Sequence, residues 1–537
     1  MAGMFYLAGG CGMTGVVQVR DFLQWLAAAS PIVTVLVLMI RFKWGGARAG
    51  AAGWLVTMAV AWAVFGADMP LLAYAQAKGA LLTLYVLYIV WTALALYFVT
   101  EETGAISTIG EGIRRLSPDK PLQLLILGWV FASFLQGVAG FGVPIAVVAP
   151  LLLGLGFSPA IAVIAPAIGH SWSVTFGNMA TSFEALTAVT GLPGESLTFW
   201  SAVLLGLSGF LCGAALLHAY GGFAAIRRTF LPLLIFAIVM GGVQYGLAVG
   251  GIWTLGGFSA GLAGLAVAVP LARLYRRGEL AAQAGERRET AMPLGWAVAA
   301  YIIFIVIVSA ITFVPGLKAA LGAVKLGLEF PAVSTALGWS VPAGPGKAIS
   351  LFGHPGAQLL YTAVLAYLLY RVKGYYQPGA LRRIALRTAR SGVPTSLGMI
   401  SMVAFAVVMD NAGMTRTLAA GIAGLFDAAY PLFAPAIGAL GAFMTGSTTN
   451  SNVVFGVFQR QTAELIGLSV PLILAAQTTG ASLGSMLAPA KLLVGCSTVG
   501  LSGKEGPVLA TTLRYGAVIT LLMGGAVTLI AYTVAGG

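Results

Sequence analysis

The chain has 537 residues, 59% of them hydrophobic and only 8% charged, with a mean hydropathy of +0.94. A soluble protein covers its surface with a charged share of about 25%, so soluble enzymes and soluble binding domains are excluded and a polytopic membrane protein of the all-α class is indicated. The net charge of +13 reads as the basic bias of short cytoplasmic loops, which makes membrane lipid a partner and nucleic acid not one.

Met1–Gly15 has no charged n-region and no signal-peptide core, so the first apolar run is expected to stay as a span. A helix needs about 20 apolar residues to cross the hydrocarbon core. Stretches 22–40, 49–66 and 79–99 predict the first three spans. Pro121 to Phe183 then carries no Asp, Glu, Lys or Arg and is interrupted by Gly137-Val-Ala-Gly-Phe-Gly-Val-Pro144. Glycine-rich backbone at membrane depth is tolerated only where protein buries it or it lines a cavity. The pattern predicts a re-entrant hairpin with this motif at its tip. Pro suits the first turn of a helix, so the second arm should start near Pro144. Gly140, Phe141 and Gly142 then lie at its positive end, where anions bind. A broken span follows, in which Pro166-Ala-Ile-Gly-His170-Ser171-Trp172 leads to Gly177-Asn178. Ser171 and Asn178 join the candidate substrate contacts.

Spans 197–218, 230–248, 252–272, 293–314, 356–370 and 393–409 come next. Ala428 to Gln459 is charge-free again and is interrupted by Gly446-Ser-Thr-Thr-Asn-Ser-Asn452, the tip of a second predicted hairpin with its half-helix starting at Val453. Polar side chains between apolar helices need partners, and a helix cap uses only one or two of them. Ser447, Thr448, Thr449, Asn450 and Asn452 are therefore candidate substrate contacts. In the next span Gln477-Thr478-Thr479-Gly480-Ala-Ser482 is the weak point, which adds Gln477 and Thr478. It leads to Pro489-Ala-Lys491, where Lys491 is a candidate anion partner. A last span at 507–534 completes twelve.

The two interrupted regions match. Leu155-Gly-Phe-Ser-Pro159 corresponds to Ile466-Gly-Leu-Ser469 with Pro471, Gly169-His-Ser171 to Gly480-Ala-Ser482, and Val189-Thr-Gly-Leu192 to Thr498-Val-Gly-Leu501. The offset stays near ~310 residues, which points to an internal duplication of 121–192 as 430–501 within one transporter domain, 1–537. Placing loops 41–48, 100–121, 219–229, 273–292, 371–391 and 488–506 in the cytoplasm puts most of the 29 Lys+Arg residues there. The first hairpin then enters from the cytoplasm and the second from outside. Inverted repeats with broken helices meeting at the midplane mark secondary transporters.

The other ionisable groups have plainer readings. Arg460 and Glu464 are spaced as a helix pair. Glu184 and Glu195 fall in an outside loop, His218 near a cytoplasmic helix end, and His354 in an outside loop. There is no H-E-x-x-H or paired-carboxylate motif, and Cys11, Cys212 and Cys496 lie far apart. No enzyme chemistry, metal or cofactor is implied. His170 has an unperturbed pKa of about 6.5, which makes it a proton-coupling candidate. The plainer alternative is a neutral ring bonded to a backbone carbonyl. Asp410, at the end of a span, is the second candidate.

The motifs Gly137-Val-Ala-Gly-Phe-Gly-Val-Pro-Ile-Ala146, Leu153-Gly-Leu-Gly-Phe157, Gly446-Ser-Thr-Thr-Asn-Ser-Asn452, Gln477-Thr-Thr-Gly480 and Val499-Gly-Leu-Ser-Gly-Lys-Glu-Gly506 resemble the lactate permease family of bacteria and archaea. The resemblance runs from about residue 20 to the C-terminus. It implies proton-driven uptake of L-lactate, with D-lactate and glycolate, in a scaffold-and-transport architecture. Against that pattern, Gln136 and Thr448 stand where acidic residues are expected, and Ser485 where a basic one is, with Lys491 close behind. The reading is a multi-pass carrier of the cell membrane, monomeric or homodimeric, for a small hydroxy-monocarboxylate. The alternative is a carrier of another organic anion, or one coupled to sodium.

Overall fold

The computed structural model describes residues 19–42, 44–114, 119–138, 140, 142–275, 292–502 and 504–533. Among them, ten helices are long and apolar enough to cross a membrane, or eleven if the bent pair Ala299–Phe313 and Pro315–Gly322 counts as one. Twelve were expected. Gly46–Ala63 and Pro355–Val372, of 18 residues each, and the broken segment 159–190 fall outside that count.

The element order occurs twice. Helices starting at residues 46, 69, 105, 120, 143, 159, 181 and 194 are followed by helices starting at 355, 380, 414, 430, 448, 470, 489 and 506. Between Gly46 and Pro355 the chain runs through 46–63, 69–101, the broken 159–190, 194–228, 230–249, 256–275 and 294–313. That is an odd number of crossings, so the second set is inverted relative to the first.

The two longest counterparts, Met69–Glu101 and Ala380–Asn411, show the inversion directly. They pack antiparallel, with Gly79 on Ala404 near one end. Near the other end Arg383 Nε bonds Glu102 at 2.6 Å, and Arg387 bonds Glu101. Gly46–Ala63 packs on Ala380–Asn411, and its counterpart Pro355–Val372 packs on Met69–Glu101. These four helices form the scaffold. Both long helices exceed their expected spans. Asp68 caps the first by accepting the Leu71 N–H at 2.9 Å, so Lys78 lies inside it. The second begins within the basic segment expected as a loop, because its arginines are paired with Glu101 and Glu102.

Residues 325–350 form a nested hairpin that the sequence pattern did not announce. Its antiparallel ladders are Lys325–Leu326 with Ile349–Ser350, Glu329–Phe330 with Gly344–Pro345, and Val333–Ser334 with Ser340–Val341. It straps the scaffold ends. The Ala336 N–H donates to Gly66 O at 2.8 Å, and Phe330 meets Tyr74 at 5.1 Å between ring centroids.

The transport part holds both hairpins. The first has arms Lys120–Val138, with a π-helical stretch at Leu125–Phe131, and Val143–Gly154. Gly142 takes φ 86° at its tip, and Pro144 sits in the first turn of the second arm, as expected. The second hairpin has arms Tyr430–Thr445 and Thr448–Leu465. Its outgoing helix starts five residues before the expected Val453, because Gly446 ends the first arm at φ 69° and Ser447 caps the second, its Oγ accepting the Asn450 N–H at 3.2 Å. The breaks also lie later than expected. Pro159–Ser171 runs through Pro166 and stops before 172–180, and Val470–Gly484 runs through Gly480 and stops before 485–488.

In both copies the broken helix meets its hairpin through glycine. A methyl group on Gly169 would overlap the carbonyl oxygen of Gly128, and one on Gly480 would overlap that of Pro435. Backbones approach this closely only where no side chain intervenes. Gly480→Ala should therefore cost about 1–3 kcal/mol or more, since a backbone carbonyl cannot swing aside. Gly242→Ala, with nothing within 4 Å of the added carbon, should be neutral. Unfolding temperatures in detergent check the pair, and equal behaviour would contradict this packing.

Candidate functional site

At the first break the backbone is strained. Asn178, Met179 and Ala180 all have left-handed φ, at 46°, 57° and 56°, a conformation that costs of order 1–3 kcal/mol at each such residue. The turn brings Asn178 against the tip of the first hairpin: a carbon on Gly140 would stand 3.8 Å from Asn178 Cγ and 3.3 Å from Gln136 Nε2. Asn178 Oδ1 and Gln136 Oε1 are both buried with no hydrogen-bond partner. Phe141 lies outside the described residues.

Lys491 approaches the same tip from the second repeat. It sits in the first turn of Pro489–Thr498, and a carbon on Gly142 would stand 3.5 Å from its Cγ. Its ammonium donates to Ser485 Oγ. Among the described residues no carboxylate forms an ion pair with it. His170 completes this corner. Its Nδ1 lies 2.6 Å from Pro166 O, so Nδ1 carries the proton, and Nε2 faces Ser485 Oγ at 3.5 Å. The ring is thus held by a backbone carbonyl.

A hydrogen-bonded network joins the two repeats. Thr175 Oγ1 pairs with Thr478 Oγ1 at 3.0 Å, Ser482 Oγ donates to Ser171 O at 2.5 Å, and Asn452 Nδ2 donates to Ser182 O at 2.9 Å and Thr478 Oγ1 at 2.8 Å. Thr449 Oγ1 pairs with Ser182 Oγ at 2.9 Å, and Thr448 Oγ1 donates to Ala481 O at 3.0 Å. Gln477 accepts from Gln459 Nε2 at 3.0 Å and donates to Ser451 Oγ at 3.2 Å. Most of the polar tip residues thus work within the protein, and Ser171 Oγ also turns inward, to Ile168 O at 2.7 Å. Asn450 differs: its Oδ1 is buried without a partner, as is Thr479 Oγ1. The four broken elements converge as expected, and the free acceptors among them are Gln136, Asn178, Asn450 and Thr479, together with Asn452 Oδ1.

Other residues lie elsewhere. Asp410 closes the scaffold helix Ala380–Asn411 and accepts from Gln461 Nε2 at 3.1 Å. Glu184 is not in a loop: it is buried in Thr181–Thr190, where Tyr85 and Trp253 donate to it. The loop reading failed because the break at 172–180 lets the chain resume a helix inside the protein. His218 bonds Tyr515 Oη at 2.8 Å, and His354 caps Pro355–Val372. Ser485, Thr175 and Ser182 are the contributors that spacing alone did not select. Among the described residues no group of three or more His, Cys, Asp or Glu could hold a metal.

The profile of the family described as L-lactate permease matches residues 24–534. The L-lactate permease of Salmonella typhimurium is 29% identical over 549 residues, covering 95% of this chain and 96% of the relative. The glycolate permease GlcA of Escherichia coli is 26% identical over 557 residues, covering 96% and 97%. Among solved structures, the YdaH transporter of Alcanivorax borkumensis aligns with a TM-score of 0.47 at 14% identity, covering 95% and 98%.

Two neighbouring asparagines separate framework from free groups. Asn452→Ala removes two buried bonds, one of them to Ser182 across the repeats, and should cost about 1–3 kcal/mol of stability. Asn450→Ala removes a group with an unpaired oxygen and should leave the unfolding temperature in detergent unchanged. Equal losses would show that Asn450 belongs to the framework too.

Proposed function

The chain belongs to the L-lactate permease family, and from that premise we propose that it takes up a small 2-hydroxy-monocarboxylate, L-lactate with D-lactate and glycolate as close analogues, by proton symport. It is a multi-pass permease of the cell membrane and not an enzyme. Relatives named for L-lactate and for glycolate support the substrate class, since both anions are a carboxylate with a neighbouring hydroxyl.

The observation that carries the reading is Lys491. A charge at membrane depth is expensive and marks function. Among the described residues no carboxylate pairs with it, and it rests on the tip of the opposite repeat's hairpin, at the positive end of Val143–Gly154. A substrate carboxylate placed there meets the ammonium and the helix end together. The hydroxyl donates to one of the unpaired amide oxygens, Asn178 or Asn450. His170 and Ser485 hold the lysine in position. A site built to bond a hydroxyl discriminates strongly against an analogue lacking one, because its buried acceptor is left unpaired.

Proteoliposomes with labelled L-lactate test this reading. An inward proton gradient should drive accumulation, and a sodium gradient at equal pH should not. Lys491→Met should lose about 1.5–3 kcal/mol of binding, roughly 10- to 150-fold in affinity. Asn450→Ala should lose roughly 2- to 10-fold. Accumulation driven by sodium alone, or normal affinity in a well-folded Lys491→Met protein, would refute it.

A further inference from the structure

Two ionisable side chains in the broken elements have no ion-pair partner among the described residues. One is Lys491. The other is Glu184, 6% exposed, whose partners are both neutral donors: Tyr85 Oη reaches Oε2 at 2.5 Å and Trp253 Nε1 reaches Oε1 at 2.8 Å. Among the described residues no Lys, Arg or His forms an ion pair with it. Tyr85 belongs to the scaffold helix Met69–Glu101, whereas Glu184 lies in a broken helix, two residues beyond the Ser182 that bonds Thr449 and Asn452 of the second hairpin. Other titratable groups stand further off. Behind Tyr85 are Lys347, 4.8 Å from its ring centroid, and His354, at 4.5 Å between centroids, with Tyr88 stacked on His354. From the arm Thr448–Leu465, Arg460 is engaged by Glu464 and by Thr190 O.

We propose that Glu184 carries the proton that accompanies the anion, with Tyr85 as its partner on the scaffold. The inference rests on the proton-coupled reading above and names the residue through which it operates. An uncompensated charge in a low-dielectric interior is costly. In the empty carrier the Lys491 ammonium and the Glu184 carboxylate sum to zero. A substrate carboxylate at Lys491 adds one negative charge, and one proton on Glu184 restores zero. Anion alone or proton alone leaves a net charge inside. The two forms without net charge are the empty and the fully loaded carrier, and those are the forms a symporter has to move.

The proton step is an acid–base step only. A proton from the aqueous side adds to Glu184 Oε2, the carboxylate becomes a carboxylic acid, and no electrons change hands. Tyr85, which donates to that oxygen, turns to accept from the new O–H. A charge-assisted bond becomes a neutral one, roughly half as strong. Loading therefore loosens the tie between scaffold and transport part while the substrate is aboard.

The test uses the full-length protein in proteoliposomes. The parent must concentrate lactate on a proton gradient. If it does not, the functional reading fails and this inference falls with it. Given a coupled parent, Glu184→Gln fixes a neutral side chain at the site. It should retain lactate counterflow yet lose uphill accumulation entirely. Proton uptake on lactate binding, read with a pH dye in weakly buffered detergent, should drop from about one per lactate to none. A Glu184→Gln carrier that still concentrates lactate at the parental level overturns the proposal. If that variant does not fold, the parent and Tyr85→Phe decide the matter by lactate-induced infrared difference spectra. These should show a carboxyl group gaining a proton, with its band shifted in Tyr85→Phe. No such band, or one that Tyr85→Phe leaves unmoved, overturns it equally.

Discussion

A chain that turns back inside hydrocarbon must bond the polar groups it exposes there, because lipid offers none. Four elements of this protein break or turn at depth, and the solution is bonding across the duplication. Thr175 reaches Thr478, Ser482 reaches Ser171, and Asn452 reaches Ser182. Each repeat relies on the other for part of this bonding. The two copies are therefore bound by the need to bury each other's polar groups, and that need places both hairpins around one region. What the network leaves over is chemically lopsided. Among the described residues at the tips and breaks the unpaired side-chain atoms are the oxygens of Gln136, Asn178, Asn450, Asn452 and Thr479, and the cation at the first hairpin tip is the Lys491 ammonium. Such a set complements a molecule carrying one negative group and one hydrogen-bond donor.

The second constraint is close approach. Gly169 against Gly128 and Gly480 against Pro435 let each broken helix touch the backbone of its hairpin, so the hairpin and the helix behind it form one packed unit. Links to the scaffold are of another kind. Tyr85 to Glu184 and Gln461 to Asp410 are single side-chain bonds, each dependent on the state of a carboxylate. A packed body that meets its frame through apolar side chains, Phe405 and Met409 with Phe455 and Phe458, and through polar ties such as these suits rigid-body movement better than internal rearrangement.

Much of this was legible in the sequence, because lipid imposes a simple rule. Charge-free stretches located the spans, and glycine or polar interruptions located both tips, while both breaks lie later than those interruptions suggested. Errors arose where local chemistry overrode that rule. Lys78 suggested a boundary, but the helix is capped upstream at Asp68. Arg383 and Arg387 suggested a loop, but Glu101 and Glu102 hold them on a helix. Thr448 to Asn452 looked like an open tip, yet Ser447 starts the helix before them, so their side chains point into the network. The strap at 325–350 has ladders two residues long, too short for alternation to register. Glu184 was the most consequential misplacement. Its partner Tyr85 lies 99 positions away, a separation that no local pattern reports.

The position of Lys491 also bears on why the duplication matters for transport. The lysine belongs to the second repeat, while the helix end it faces belongs to the first. In the proposed site, an anion held between them touches both copies at once. It neutralises a cation whose burial would otherwise be unfavourable, so the closed arrangement is costlier empty than occupied unless another negative charge is present in the same interior. Glu184 is such a charge, fixed to the scaffold by Tyr85 and reached through Ser182 from the hairpin that carries Asn450. The same electrostatic requirement that makes the lysine a good anion site thus makes its empty state depend on a carboxylate elsewhere. In the proposed scheme substrate and proton are linked through net charge, without needing to touch.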